Sequence, residues 1–203
     1  NLFNPNIEND MVSSNGNKFK MIYHGTIAER FGLSVVLIAL NNLLEIFQSF
    51  QLDIYGKGDG VEDLKIKIIE LGLSNHVFYH GQIPLDAIPD KISRSDLGIV
   101  SYIHSDATHL MLPLKLMEYI AMGLPTLTVK NAPIAYYFKE DELAYYENND
   151  SNSFLNQLTK LIKSPREIER LKLKTEIINQ RLNWDNEQLK YINLINKLSQ
   201  NCS

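Results

Sequence analysis

Leu112-Pro-Leu-Lys-Leu-Met-Glu-Tyr-Ile-Ala-Met-Gly-Leu-Pro125 sets a proline-started helix directly before a Gly-Leu-Pro turn, and a short apolar strand follows it. Pro113 suits the first helical position, where a missing N–H costs nothing, and Gly123 suits the left-handed residue that ends a helix. The amides of the first turn, at Leu114 and Lys115, then point at whatever lies in front of them. A helix start is a ready anion site, so a phosphate is the natural tenant. Glu118 falls on the same helical face as Lys115 and can accept two hydroxyl hydrogen bonds, as a ribose diol offers.

Outward from this helix, short apolar runs alternate with helical patterns, which is the signature of a doubly wound parallel α/β sheet with helices on both faces. About six strands are expected, at Phe19–His24, Leu52–Tyr55, Val77–Tyr79, Leu97–Val100, Thr126–Val129 and Ala144–Tyr146. Leu33, Val36, Leu37, Leu40, Leu44 and Phe47 recur at helical spacing and predict one buried helix face. Val61, Leu64, Ile68 and Leu71 predict a second helix stopped by Gly72, and Pro84 opens a third. Beyond residue 150 the pattern is a helical tail. Ser151 and Ser164 read as N-caps, the latter with Pro165 and Glu167 in a capping box. Trp184, Leu189, Ile192, Ile195 and Leu198 on the closing helix read as core packing.

Ligands of open α/β sheets bind beyond the carboxyl ends of the strands. The unusual residues of this chain fall there: Gly25, Thr26 and Arg30 after the first strand, and Gly56, Lys57 and Gly58 after the second. Glycine lets a backbone approach a nucleotide closely, and Arg or Lys can meet a diphosphate. Taken alone, Gly56-Lys-Gly-Asp-Gly60 reads equally as a flexible turn into the next helix.

The chain resembles the C-terminal, donor-binding half of GT-B retaining glycosyltransferases, the group 1 (family 4-like) enzymes. Glu118, Tyr119, Ala121, Gly123 and Pro125 match the second Glu of that family's paired-Glu motif and its Tyr-x-Ala-x-Gly-x-Pro signature. His24-Gly-Thr, Asp53-Ile-Tyr-Gly-Lys-Gly58, Val77-Phe-Tyr-His-Gly81 and Ser95-Asp-Leu-Gly-Ile-Val-Ser101 follow in the family's order. The resemblance implies a Rossmann-like domain, half of a GT-B fold, over residues 18–203. Residues 1–17, opening Asn1-Leu-Phe-Asn-Pro5, resemble the connection from an N-terminal acceptor domain that the chain lacks. It also implies retaining, hexosyltransferase-like transfer of sugar from a UDP- or GDP-linked donor to a glycan or lipid-linked acceptor, as in polysaccharide biosynthesis. The isolated domain is expected to bind its donor and barely turn over, and no cofactor or metal is implied.

By the same resemblance, Arg30, Lys115 and Glu118 are the candidate catalytic residues. Arg30 and the amides of Leu114 and Lys115 would meet the diphosphate, Glu118 the ribose, and the backbone near Gln82 and Ile83 the base. Three positions depart from the family pattern. Thr26 and Phe31 stand where an Arg and a Lys clamp the diphosphate, and Leu110 stands where the first Glu holds the donor sugar. Arg30 is the candidate for the lost charge, and His104, Asp106 and His109 are candidates for the sugar contacts. Two His and an Asp in one loop can also ligate a metal, but no fourth ligand is near in sequence and the cluster reads as polar loop.

Composition bounds the alternatives. At 203 residues and 44% hydrophobic, the chain fits one domain with a substantial core. Its net charge of −4 and pI near 5.7 argue against a nucleic-acid partner. No apolar run approaches the ~20 residues that span a bilayer, so a soluble cytoplasmic domain is expected, with the full-length protein at the inner membrane face as one placement. Cys202 is the single cysteine and closes no intrachain disulfide. A dinucleotide dehydrogenase would need Gly-x-Gly-x-x-Gly after the first strand, and the loop there has one glycine. The chain has no P-loop. Sugar-nucleotide epimerases and glycogen phosphorylases share the two-domain architecture, and the Tyr-x-Ala-x-Gly-x-Pro stretch favours the resemblance to group 1 transferases over both. The three departures leave a second reading, a degenerate non-catalytic half that acts as a binding or scaffold subunit.

Overall fold

The computed structural model describes residues 2–3 and 18–200. The linker expected over residues 1–17 lies outside these except for Leu2 and Phe3, and Cys202 lies outside them. Six strands form one parallel sheet: β1 (Phe19–His24), β2 (Phe50–Tyr55), β3 (Val77–Gly81), β4 (Leu97–Val100), β5 (Thr126–Val129) and β6 (Ala144–Tyr146). Their order is β3-β2-β1-β4-β5-β6. Successive strands run outward from β1 in one direction and from β4 in the other. The crevice where the order reverses therefore lies between β1 and β4, which is where such sheets bind ligands.

Eight α-helices are found among the described residues: α1 (Leu33–Leu43), α2 (Val61–Glu70), α3 (Ile88–Ser93), α4 (Leu114–Ala121), α5 (Ala132–Tyr137), α6 (Ser151–Lys163), α7 (Pro165–Arg181) and α8 (Trp184–Gln200). β1, β4 and β5 are buried along most or all of their length, as strands covered on both faces must be. α1 is buried around most of its surface, with Val35, Ala39 and Leu43 enclosed besides the expected Leu33, Val36, Leu37 and Leu40. It packs against both α6 and α2, so one stripe is not enough to describe it. Leu44 and Phe47 lie past its end and are half-buried.

Helix ends refine several expectations. Pro113 is the N-cap of α4, with extended backbone at φ −76° and ψ 131°, and Leu114 is the first helical residue. At the other end Gly123 takes φ +74°, and Leu124 N–H donates to Tyr119 O at 2.8 Å while Gly123 N–H donates to Ile120 O at 3.0 Å. These two bonds satisfy carbonyls that the helix itself cannot. Asp150, not Ser151, caps α6: its Oδ1 accepts from the amides of Asn152 and Ser153, both at 2.9 Å. Ser164 caps α7 by accepting from Glu167 N–H, but the Glu167 carboxylate turns to the Arg170 guanidinium instead of completing the box.

The expected burial of the closing helix is overturned. Trp184 is 70% exposed, and Leu189, Ile192, Ile195 and Leu198 are also exposed. Their spacing defines an apolar face, but a face is buried only where another element covers it.

Candidate functional site

Tyr119 fixes the site's geometry. Its ring is fully buried against β4, where a Cβ on Gly98 would come within 2.5 Å of it, and its hydroxyl donates to Ile22 O on β1 at 3.2 Å. One aromatic side chain thus locks α4 across the β1–β4 crevice. Its helix neighbours Lys115 and Glu118 are carried to the end of β1.

Lys115 passes under the loop after β1, where a Cβ on Gly25 would lie 3.3 Å from its Cε and Nζ. Its ammonium stands 3.6 Å from the Tyr23 ring centroid and 5.7 Å from that of Phe31, a cation held on aromatic faces. It does not pair with Glu118, the plain structural role its spacing allowed. Burial pushes its pKa down to about 7 against the pull of Glu118 in the other direction. Glu118, three-quarters enclosed, is itself raised by burial, with Lys115 opposing.

His24, at the end of β1, is 7% exposed, and its Nε2 lies 3.2 Å from Glu118 Oε2. The distance suits a hydrogen bond but the direction does not, so Nε2 is buried without a partner. Burial, helped by the Lys115 charge, pushes the ring down to about 3. Near neutral pH the imidazole beside Glu118 is therefore neutral.

In front of this cluster the loops after β1, β2 and β3 enclose a cavity of about 300 Å³, lined by His24, Gly25, Thr26, Tyr55, Gly56, Lys57, Gln82, Ile83, Leu85 and Ile88. Six residues expected at a ligand, Gly25, Thr26, Gly56, Lys57, Gln82 and Ile83, stand together in its wall. The loops are zipped by backbone hydrogen bonds: Gly25 N–H to Tyr55 O at 3.0 Å, Ile27 N–H to Lys57 O at 2.9 Å, and Gly56 N–H to Gly81 O at 2.8 Å. A Cβ on Gly56 would meet Gly25 O at 1.8 Å, and one on Gly58 would meet Ile27 O at 1.9 Å. These glycines are demanded by backbone packed on backbone, and the segment is no free turn.

Other expected residues lie apart from the cavity wall. Gly58 is beneath the loop and Leu114 is exposed at the start of α4. Arg30 is exposed, its guanidinium carbon 4.9 Å from the Phe31 centroid, so Arg30 and Lys115 approach the same ring. Its carbonyl accepts from Ile103 N–H at 2.9 Å, which ties this segment to the loop after β4. His104, Asp106 and His109 are exposed on that loop, and Leu110 is 71% exposed. The loop is organised by buried Thr108, whose Oγ1 donates to Ile103 O and accepts from Ser105 N–H. Among the described residues no group of three or more His, Cys, Asp or Glu is placed to hold a metal.

Sequence reasoning missed His24 and Tyr55 as site residues. Both are the last residues of their strands and are register partners, so the rule that ligands meet strand ends could have found them. Leu85 and Ile88 carried no such signal.

The model of the glycosyl transferases group 1 family matches residues 7–180. The chain belongs to this family. No curated protein sequence matches it. Among solved structures, this glycosyltransferase domain is similar to sucrose-phosphate synthase from Thermosynechococcus elongatus (TM-score 0.81, 20% identity, 98% of this chain and 50% of that one). It is also similar to Anabaena Alr3699/HepE, solved in complex with UDP (TM-score 0.79, 16% identity, 89% of this chain and 49% of that one). The C-terminal domain of the group 1 family protein LpcC from Francisella tularensis matches over 89% of this chain and 95% of its own length (TM-score 0.70, 16% identity). The chain thus spans about half the length of the HepE and sucrose-phosphate synthase chains, and the expected half of a GT-B fold is the fold it has.

Proposed function

We propose that this domain binds a nucleoside diphosphate sugar and presents it for retaining transfer to an acceptor held on a further domain. The observation that carries this is the convergence of α4 on the cavity: Lys115 and Glu118 meet the same strand-end loops that form its walls. HepE, similar in fold, was solved with UDP and with UDP-glucose, which agrees with such a ligand here.

The base would lie against the Gln82–Ile83 backbone, and the Glu118 carboxylate would accept from the ribose hydroxyls. The first amides of α4, at Leu114 and Lys115, have no intrahelical partner and face the diphosphate together with the Lys115 ammonium and Arg30. As the glycosidic bond to the donor breaks, negative charge grows on the departing diphosphate. Donors fixed in advance around that charge lower the barrier. His104, Asp106 and His109 supply the polar contacts to the sugar that Leu110 cannot.

Calorimetric titration with UDP, GDP and ADP, with and without magnesium, tests this reading. Metal-independent binding of one nucleotide over the others is expected. The exposed Leu110 at the sugar-contacting Glu position favours a second reading, a non-catalytic binding or scaffold half. Absence of binding to all three nucleotides would choose it.

A further inference from the structure

His24 is more than nine-tenths buried, carries an unpartnered ring nitrogen, and lines the cavity beside the carboxylate assigned to the ribose. Leaving a buried polar atom unpaired is costly, and such an atom in a cavity wall is a site waiting for its partner. The ring has little freedom to move. It packs edge-on against Tyr119 at 5.1 Å between centroids, and Tyr119 is itself pinned to Ile22. Glu118, one residue before Tyr119 on α4, keeps 22% of its side chain exposed.

We propose that His24 is a positioning residue for Glu118: when a nucleotide enters, the carboxylate turns so that Oε2 accepts from His24 Nε2–H, and the other oxygen is presented to the ribose diol. This inference rests on the nucleotide-binding reading above. It assigns to His24 the ribose selectivity of the site, and not the affinity for diphosphate, which belongs to α4 and its lysine. The groups facing the ring fit that role. Burial, with the charge of Lys115 on the same helix as Glu118 adding to it, keeps the imidazole neutral, so His24 donates one hydrogen bond without neutralising the carboxylate. A cationic histidine would pair with Glu118 and compete with the ribose for it.

The experiment is calorimetric titration of wild type, His24→Phe, His24→Ala, His24→Gln and Glu118→Gln with UDP, GDP and ADP and with their 2′-deoxy counterparts. Circular dichroism confirms that each variant is folded. Wild type should prefer the ribonucleotide by about tenfold, the worth of one hydrogen bond to a charged group. In His24→Phe and His24→Ala that preference should collapse toward one, while affinity for the deoxynucleotide stays within about twofold. His24→Gln, whose amide can donate from a similar position, should keep most of it. A preference lost in Glu118→Gln but intact in His24→Phe and His24→Ala would overturn the role of His24 and leave nucleotide binding standing. Failure of wild type to bind any ribonucleotide would overturn both.

Discussion

The Lys115 ammonium sits on the face of the Tyr23 ring, 3.6 Å from its centroid, and not against Glu118 on its own helix. Burial there holds its pKa near 7, far below the ordinary lysine value of about 10.4. Between these values the unfolded chain binds a proton that the folded chain does not. Stability contributed at this residue is therefore lowest below about pH 7 and rises with pH toward about 10.4. Diphosphate binding has the opposite preference, because the ligand needs the charged form. Affinity for a nucleoside diphosphate should fall as pH rises above about 7, by up to about tenfold per unit. Titrations across this range check it, and Lys115→Met should flatten the slope; an unchanged slope in that variant would remove Lys115 from the site.

Gly58 and Gly72 make a contrasting pair. A Cβ on Gly58 would lie 1.9 Å from Ile27 O, whereas Gly72 at φ +66° has open space around it. Gly58→Ala should destabilise the domain by about 3 kcal/mol, because backbone must move. Gly72→Ala should cost about 1 kcal/mol, the strain of a left-handed alanine. Urea unfolding of both variants measures the difference, and equal costs would show that the loops are not zipped as described.

Arg30 approaches Phe31 from the exposed side while Lys115 approaches the same ring from beneath Gly25. Arg30→Ala should weaken binding of a nucleoside diphosphate by about tenfold and leave nucleoside binding unchanged. Calorimetry with the paired ligands decides, since an equal loss for both would show that Arg30 reads no phosphate.

Asp150 carries the cap of α6 that the sequence pattern placed on Ser151. Asp150→Ala should cost about 1 kcal/mol of unfolding free energy. Ser151→Ala should change it by less than about 0.5 kcal/mol. The reverse order in a denaturant titration would return the cap to the serine.

Much of the fold was legible because each strand is an apolar segment closed by a polar or glycine residue. Four of the six strands begin and end at the expected residues; β2 starts two residues earlier, at Phe50, and β3 continues to Gly81. Gly123 was legible as a helix stop because only a residue free of Cβ strain ends a helix that way at little cost. Asp150 was hidden by its neighbour, since Asp and Ser both cap and sequence alone does not rank adjacent candidates. The face of α8 misled because spacing shows where apolar residues align and is silent on what covers them. At the site, the glycines of Gly56-Lys-Gly58 were visible but their reason was not. They serve contacts between loops far apart in sequence. His24 was visible as a strand end but its role was not, because that comes from Glu118, brought beside it by Tyr119 across the sheet.

Hydrogen exchange of the domain with and without its tightest-binding nucleoside diphosphate tests the central claim most directly, because it locates the ligand on the backbone. Protection is predicted at the loops after β1, β2 and β3 and in the first turn of α4, at Gly25 to Ala28, Gly56 to Gly58, Gln82 to Ile83 and Leu114 to Lys115, with α6 and α8 unchanged. Binding that leaves these segments unprotected and slows exchange elsewhere would contradict the account.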